Sequence, residues 1–228
     1  MAESTKLKYR AFISYSHADT RWGKWLHKRV EGFRVDKDLI GRETPAGPVP
    51  KCLSPVFRDR DEFTAGHSLT DQTVAALDAS ATLIAICSPA SAKSHYVNEE
   101  IRLFKSRHPH RAVIPVIVAG NPRSPEAECF PPALRFKVKE DGQVTGLAFE
   151  VLAADVREEG DGQQLAASKV IASLLGLSTD HIYRRAERAR RKARRIRVAV
   201  AASITGLAVA TGFAAWQWQK TQGTVVEY

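Results

Sequence analysis

The strongest constraint on this chain is a run of 21 residues without a charged side chain, at positions 198–218. As an α-helix it would be roughly 31 Å long, close to the ~30 Å hydrocarbon thickness of a bilayer. Trp216 and Trp218 lie at one end of the run, where amphipathic rings favour the headgroup layer. The run therefore predicts a transmembrane helix, and a buried core helix of a soluble protein is the alternative.

A basic block comes directly before this run. Residues 184–197 (RRAERARRKARRIR) contain nine Lys or Arg side chains and one Glu, a net charge of +8, whereas the whole chain carries +9. Such a block can bind nucleic acid, but beside an apolar helix it is typical of the cytoplasmic flank of a membrane span. We therefore expect a single-pass membrane protein with residues up to 197 in the cytoplasm, and no nucleic-acid partner.

Upstream of the basic block, patterns typical of strands and of helices alternate. Residues 82–88 (TLIAICS) and 112–118 (AVIPVIV) are continuous apolar runs, as expected of central parallel strands covered on both faces. The alternation predicts an α/β fold, an open five-stranded parallel sheet with helices on both faces. The predicted strands are 9–15, 55–58, 82–88, 112–118 and 147–153, and the predicted helices include 20–33 (capped by Asp19 or Thr20), 94–107 and 163–176, with a Pro- and Gly-rich loop insertion at 35–55.

Each of the first three predicted strands runs into a polar motif. The motifs are FISYSHAD (12–19), FRDRDEFTAGHSL (57–69) and SPASAKSHYVNEE (88–100). In this order they resemble the Toll/interleukin-1 receptor (TIR) domain: its box 1, its BB loop and the segment that bears the catalytic glutamate of NAD-consuming TIR domains. The resemblance covers about 8–176, apart from the insertion. The chain differs from the family where Tyr96 replaces a common Trp and where Ala65 replaces a common Pro.

The resemblance implies a flavodoxin-like sheet with strand order 2-1-3-4-5. In such a sheet, ligands favour the crevice at the carboxyl ends of strands 1 and 3, where the strand order reverses. The loops Ser14–Asp19 and Ser88–Ser94 follow these two strands, so both motifs meet at the expected crevice. The expected organisation is a tail (1–7), a TIR domain (8–177), a basic juxtamembrane helix (178–197), a transmembrane helix (198–218) and a short tail (219–228).

Two adjacent glutamates in the third motif are distinguished by helical geometry. Val97, Ile101 and Phe104 mark the buried stripe of the helix, at i, i+4 and i+7. At 100° per residue, Glu100 lies about 60° from Val97, at the edge of the stripe, whereas Glu99 points nearly the opposite way. We expect Glu100 to be half-buried in the crevice and Glu99 to be a solvated surface charge. The alternative is that Glu100 is an ordinary glutamate at the edge of the buried stripe, without a role in the crevice.

The resemblance implies that Glu100 is the catalytic residue of NAD+ cleavage. One carboxylate suffices, because nicotinamide leaves as a neutral molecule and an ionised Glu can stabilise the oxocarbenium-like ribose. No metal and no resident cofactor are expected, since NAD+ is the substrate and Cys52, Cys87 and Cys129 are too scattered for a four-thiolate zinc site. The substrate-binding candidates are Phe12, Ser14, Tyr15 and Ser16 on one wall, Tyr96 near the nicotinamide, and Arg58 and Arg60 at the pyrophosphate. Strand packing, helix capping and solvated loop charges are the alternatives.

We therefore predict a membrane-anchored NAD+ glycohydrolase, or a cyclase that forms cyclic ADP-ribose. It would be a defence effector, antiviral for example, or a signalling effector, and self-association would activate it. The family implies an NAD+ site completed between neighbouring domains by the BB loop, here 58–68. Ala202, Gly206 and Ala210 form a small-xxx-small face that lets membrane helices approach closely. The expected partners are NAD+, other copies of the chain, a lipid bilayer and an activating partner or ligand. A non-catalytic TIR adaptor at a membrane is the alternative.

Overall fold

The structure is a computed structural model of the 228-residue chain, and it describes residues 7–58, 71–122, 124–148 and 150–223. The chain divides into two compact units, Met1–Ile182 and Tyr183–Tyr228. In chain order the elements are β1 (Ala11–Ser14), α1 (Thr20–Glu31), β2 (Val56–Arg58), α2 (Asp71–Asp78), β3 (Leu83–Cys87), α3 (Pro89–Lys93), α4 (His95–Arg107), β4 (Val113–Ile117), α5 (Pro132–Arg135), β5 (Phe136–Val138), β6 (Val144–Ala148), β7 (Ala154–Asp155), α6 (Gly162–Leu175) and α7 (Thr179–Gly223).

The first unit is built on a five-stranded parallel sheet in the order β2-β1-β3-β4-β7. All five residues of β3 are buried, because helices cover both faces of the sheet at its centre. The predicted α/β fold is therefore confirmed. Counted within this sheet, the strand order is also the predicted 2-1-3-4-5.

Alternating side chains on β1 pack into two apolar clusters, one on each face of the sheet. Ala11 and Ile13 belong to the cluster that also contains residues of α1 and α6. Phe12 belongs to the cluster that contains residues of α2, α4 and α5. The helices that follow β1 and β3 therefore lie on opposite faces of the sheet.

The loop insertion 35–55 contributes to the core although it forms no helix and no strand of its own. Leu39 and Leu53 are buried in the same cluster as α1 and α6. The Thr44 hydroxyl donates to the Leu175 carbonyl at 2.9 Å, at the end of α6. The insertion therefore covers apolar surface beside α1 and satisfies one of the last carbonyls of α6.

The predicted fifth strand at 147–153 was wrong in position. β6 pairs antiparallel with β5 in a separate two-stranded sheet, and the turn between them contains Gly142 with a φ of +81°. The fifth strand of the main sheet is β7, which has only two residues and pairs with β4. The apolar residues near 147 take part in this hairpin instead of extending the main sheet.

α7 contains 45 residues and includes the predicted segment 198–218 and all but the first residue of the predicted segment 178–197. Within it, Arg195–Trp216 is long and apolar enough to cross a membrane, by length and composition. The predicted transmembrane segment is thus helical, and it is a candidate membrane span.

Candidate active site

The centre of the sheet provides the expected crevice. β1 and β3 are adjacent and parallel, with Ser14 in register with Ala85. From their carboxyl ends the chain continues to helices on opposite faces, because α1 and α4 contribute to different apolar clusters. This arrangement leaves the carboxyl edge between β1 and β3 uncovered by a crossover connection, which is where α/β sheets bind ligands.

Glu100 lies at this edge, held by a serine at the end of β1. The Ser14 hydroxyl donates a hydrogen bond to Oε2 of Glu100. Ser14 is fully buried and Glu100 is 4% exposed. Glu100 therefore turns toward the sheet, as helical spacing predicts, and it is more deeply buried than the half-buried position we expected, because Ser14 contacts it from the strand.

Glu99, one residue earlier on α4, turns away from the crevice. Oε2 of Glu99 lies 2.8 Å from Nη2 of Arg102, and the Glu99 side chain is 22% exposed. Arg102 also donates to the Gly142 carbonyl at 3.1 Å. Glu99 is therefore a partly exposed charge paired with Arg102, because Arg102 and the turn between β5 and β6 lie on this side of α4.

A second buried carboxylate lies in the loop after β1. The hydroxyls of Ser16 and Ser88 each donate to Oδ2 of Asp19 at 2.6 Å, and Asp19 is 7% exposed. We expected Asp19 or Thr20 to cap α1. Asp19 occupies the N-cap position, but its side chain makes no capping hydrogen bond, because its carboxylate accepts from the two serines.

Tyr15 and Arg58 are brought together beside β1. Nη1 of Arg58 donates to the Tyr15 hydroxyl at 3.4 Å. A Cβ atom at Gly23 of α1 would lie 3.0 Å from the Tyr15 ring. Glycine at this position therefore leaves room for the ring to pack against α1. Nε of Arg58 is buried and has no hydrogen-bond partner among the described residues. Tyr96 is half-buried on the first turn of α4, with its ring 6.1 Å from that of His95.

Similar proteins identify the domain. A family model described as "TIR domain" matches residues 51–144, a range that includes β2, β3, α4 and Glu100. The chain contains a TIR domain. The "NAD(+) hydrolase ApTIR" of Actinoplanes sp. is 27% identical over 237 residues, which cover 96% of this chain and 30% of that protein. This chain thus spans about 30% of the length of the curated relative.

A solved structure of TIR domains is also similar, that of the activated Roq1 resistosome directly recognizing the pathogen effector XopQ. It is 20% identical, with a TM-score of 0.33, and covers 47% of this chain and 55% of its own.

The TIR family model begins after the FISYSHAD motif, yet the structure joins that motif to the matched residues. Ser14 donates to Glu100, and Asp19 accepts from Ser88. Both partners on the C-terminal side lie within 51–144. The carboxyl edge of this TIR domain is thus formed jointly by the first motif and the third.

Phe12 lies in the apolar core on one face of the sheet. It is fully buried, and its ring stacks on that of Phe57 with the centroids 5.1 Å apart. It lies on the same face of β1 as Ser14 but two residues earlier, within the apolar cluster. Phe12 therefore packs in the core of the TIR domain, and its contact with substrate stays a prediction. Most of the BB loop, residues 59–70 with Arg60 and Ala65, is outside the described residues.

Two buried cysteines lie in the same half of the TIR domain as α4. Burial raises the pKa of the Cys87 thiol well above its usual range, and burial raises the pKa of Cys129 to about 11. Both thiols are therefore protonated at neutral pH, which makes them poor nucleophiles and poor metal ligands. Among the described residues, no three His, Cys, Asp or Glu side chains are grouped so that they could hold a metal ion.

Proposed function

We propose that this TIR domain cleaves the bond between nicotinamide and ribose in NAD+, releasing nicotinamide and either ADP-ribose or cyclic ADP-ribose. The observation that carries the proposal is the buried carboxylate of Glu100, which accepts a hydrogen bond from Ser14 at the ligand-binding edge of the sheet. The similarity to the NAD(+) hydrolase of Actinoplanes sp. supports the same reaction.

Glu100 would act on the charge that develops as the bond breaks. The electron pair of the C–N bond goes to the nicotinamide nitrogen, so nicotinamide leaves neutral and the ribose becomes oxocarbenium-like. A carboxylate beside the ribose stabilises this charge, and it does so more strongly in a site that excludes water. Water then attacks the ribose carbon and releases one proton, or an adenine nitrogen attacks it in the cyclic product.

The remaining crevice residues would bind the rest of NAD+. Arg58 suits the pyrophosphate, because a guanidinium presents several donors to phosphate oxygens and its Nε has no partner among the described residues. Tyr96, one helical turn before Glu100, would lie against the nicotinamide ring. Ser16 and Tyr15 would form the wall on the β1 side.

α7 would anchor the TIR domain in a membrane with the domain in the cytoplasm. The support is the apolar stretch Arg195–Trp216 and the basic block before it, since positive charge is typical of the cytoplasmic flank of a span. Anchored copies have a raised effective concentration. Association of TIR domains, including the BB loop, would then activate NAD+ cleavage and make the protein a defence or signalling effector.

The reaction is tested with the full-length chain in proteoliposomes at high protein density, by chromatography of nicotinamide after incubation with NAD+. We expect the wild type to release nicotinamide and Glu100→Ala to lower its release at least about 100-fold, the loss expected for an electrostatic group of the transition state. Glu99→Ala is the matched control, because Glu99 pairs with Arg102 outside the crevice, and it should retain near-wild-type release.

Two results would contradict this proposal. Equal loss in both variants, with folding unchanged, would remove Glu100 from the catalytic role. A wild type that releases no nicotinamide would support a TIR adaptor that signals by association alone.

A further inference from the structure

We propose that Asp19 is a positioning residue of the crevice, which keeps Glu100 in place by joining the loop after β1 to the segment after β3. This role rests on the proposed function, because it assigns Asp19 to the same site as Glu100. The position of Asp19 before α1 would suggest that it caps this helix, but its carboxylate makes no capping hydrogen bond.

The first step is the link between the two loops. Asp19 belongs to the loop after β1, and its amide donates to the Ser16 carbonyl at 2.8 Å, which closes a tight turn. Oδ2 of Asp19 accepts from the Ser16 hydroxyl within this turn and from the Ser88 hydroxyl across the crevice, each at 2.6 Å. Oδ2 of Asp19 therefore accepts one hydrogen bond from the loop after β1 and one from the segment after β3, the two strands between which the strand order reverses.

The second step leads from Ser88 to Glu100. Ser88 is the N-cap of α3, and its hydroxyl also accepts from the Ser91 amide at 3.0 Å. α3 is one turn long and is followed at once by Ser94, the N-cap of α4. The Ser94 amide donates to the Ser91 carbonyl at 3.1 Å. The place of Ser88 therefore sets where α4 begins, and with it where Glu100 lies.

The third step closes a ring around the crevice. The hydrogen bond from Ser14 to Glu100 joins the end of β1 to α4 directly, and the contacts of Asp19 join the next residues of the loop to the start of α3. With both links present, the end of β1 is joined to α4 and the loop after β1 is joined to the start of α3. Without Asp19, the second link is lost, and Glu100 can shift with the start of α4.

A small shift is enough to matter for the reaction. Displacement of a reacting group by about 1 Å can lower a rate on the order of 100-fold. Such a shift affects the transition state more than the binding of the intact substrate, so the loss is expected in kcat and not in KM. A residue that only stabilises the fold would lower the melting temperature without this separation.

The test measures kcat, KM and melting temperature of full-length variants in proteoliposomes, with NAD+ as substrate. Asp19→Ala should lower kcat about 10- to 100-fold, with KM changed by less than about threefold. Asp19→Asn keeps a carbonyl oxygen that can accept from both serines, so it should restore kcat to within about threefold of the wild type. Ser88→Ala, which removes the link across the crevice, should lower kcat as well.

The matched control is Asp78→Ala. Asp78 also joins two segments, since its carboxylate accepts from Arg107 and from His108. It lies at the end of α2, before β3 begins, and so at the opposite edge of the sheet. This variant should lower the melting temperature and leave kcat unchanged.

Several results would contradict the role of Asp19 or the proposed function. Wild-type kcat in a folded Asp19→Ala protein overturns the role of Asp19, as does an equal loss in Asp19→Asn. If Asp19→Ala does not fold, wild-type kcat in Ser88→Ala overturns it. Absence of nicotinamide release from the wild type instead refutes the proposed function, and is distinguished because it does not depend on any Asp19 variant.

Discussion

Ser14 and Ser80 are both fully buried serines, but their hydroxyls have different partners. Ser14 donates to the Glu100 carboxylate at the carboxyl edge, whereas Ser80 donates to the Ala76 carbonyl at 2.7 Å, just after α2. We expect Ser14→Ala to lower the kcat of nicotinamide release about tenfold, because Glu100 loses a hydrogen bond to a charged group worth ~1.5–3 kcal/mol. Ser80→Ala should lower the free energy of unfolding by about 1 kcal/mol and leave kcat unchanged.

Steady-state kinetics and urea unfolding of the two full-length variants check this contrast. The same loss of kcat in Ser80→Ala would show that any buried serine has this effect through stability. An unchanged kcat in Ser14→Ala would show that Glu100 does not need its partner on β1.

The orientation of Glu100 could be predicted from sequence because it depends on local periodicity. Val97, Ile101 and Phe104 define the buried side of α4, and this alone separates Glu100 from Glu99. The partners of Asp19 could not be predicted in this way. Ser88 is 69 positions away in the chain, so the contact depends on the strand order, and the local signal at Asp19 favours a helix cap.

Strand alternation also left Phe12 ambiguous. Side chains on β1 point alternately to the two faces, so Phe12 and Ser14 share a face, and the pattern does not say how far along the strand the crevice begins. In the structure, Phe12 packs within the apolar cluster, whereas the Ser14 hydroxyl contacts Glu100.

At the scale of elements, α4 depends on how it begins. Its N-cap is Ser94, whose hydroxyl accepts from the Val97 amide at 3.3 Å. We expect Ser94→Ala to lower the free energy of unfolding by about 1 kcal/mol, because the Val97 amide loses its acceptor. Ser94→Asp retains an acceptor near the positive end of the helix and should keep most of the stability. Urea unfolding of the full-length chain in mild detergent, followed by tryptophan fluorescence, distinguishes the two variants.

Two results would contradict this prediction. Equal destabilisation by both substitutions would show that the size of the side chain matters and not its acceptor. Unchanged stability in Ser94→Ala would show that the start of α4 is held by its packing on the sheet alone.

Elements with strong local patterns were predicted well, and those defined by distant pairing were not. β3 could be found as a continuous apolar run because a central parallel strand is buried on both faces. β7 has two residues, too few to show any period, and it is a strand only because β4 offers it an edge. Val144 to Ala148 form a strand as well, but the turn after β5 directs it into a hairpin.

At the scale of the whole molecule, charge separates the chain into two parts that the structure also separates. The basic block 184–197 carries a net +8 of the total of +9, and it lies in the second unit, Tyr183–Tyr228. The first unit is therefore nearly neutral and contains all of the candidate active site. Composition alone could assign these two parts, because neither the apolar run nor the basic block depends on contacts with the rest of the chain.

The last prediction concerns association through α7. Ala202, Gly206 and Ala210 recur every four residues and lie on one face of the helix, which would let two membrane helices approach closely. We expect Gly206→Leu to lower NAD+ consumption at least about threefold in cells that express the full-length chain, because the TIR domains lose part of their effective concentration. Gly212→Leu is the matched control, since six residues further on the side chain lies about 120° from this face.

NAD+ levels are measured at matched expression, with Glu100→Ala as the inactive reference and with the amount of chain in the membrane fraction measured in parallel. Both glycine variants should remain in that fraction, because leucine is as compatible with a bilayer as glycine. Wild-type consumption by Gly206→Leu would reduce α7 to an anchor and leave association to the TIR domains alone. An equal loss in Gly212→Leu would show that the effect does not depend on the small-residue face.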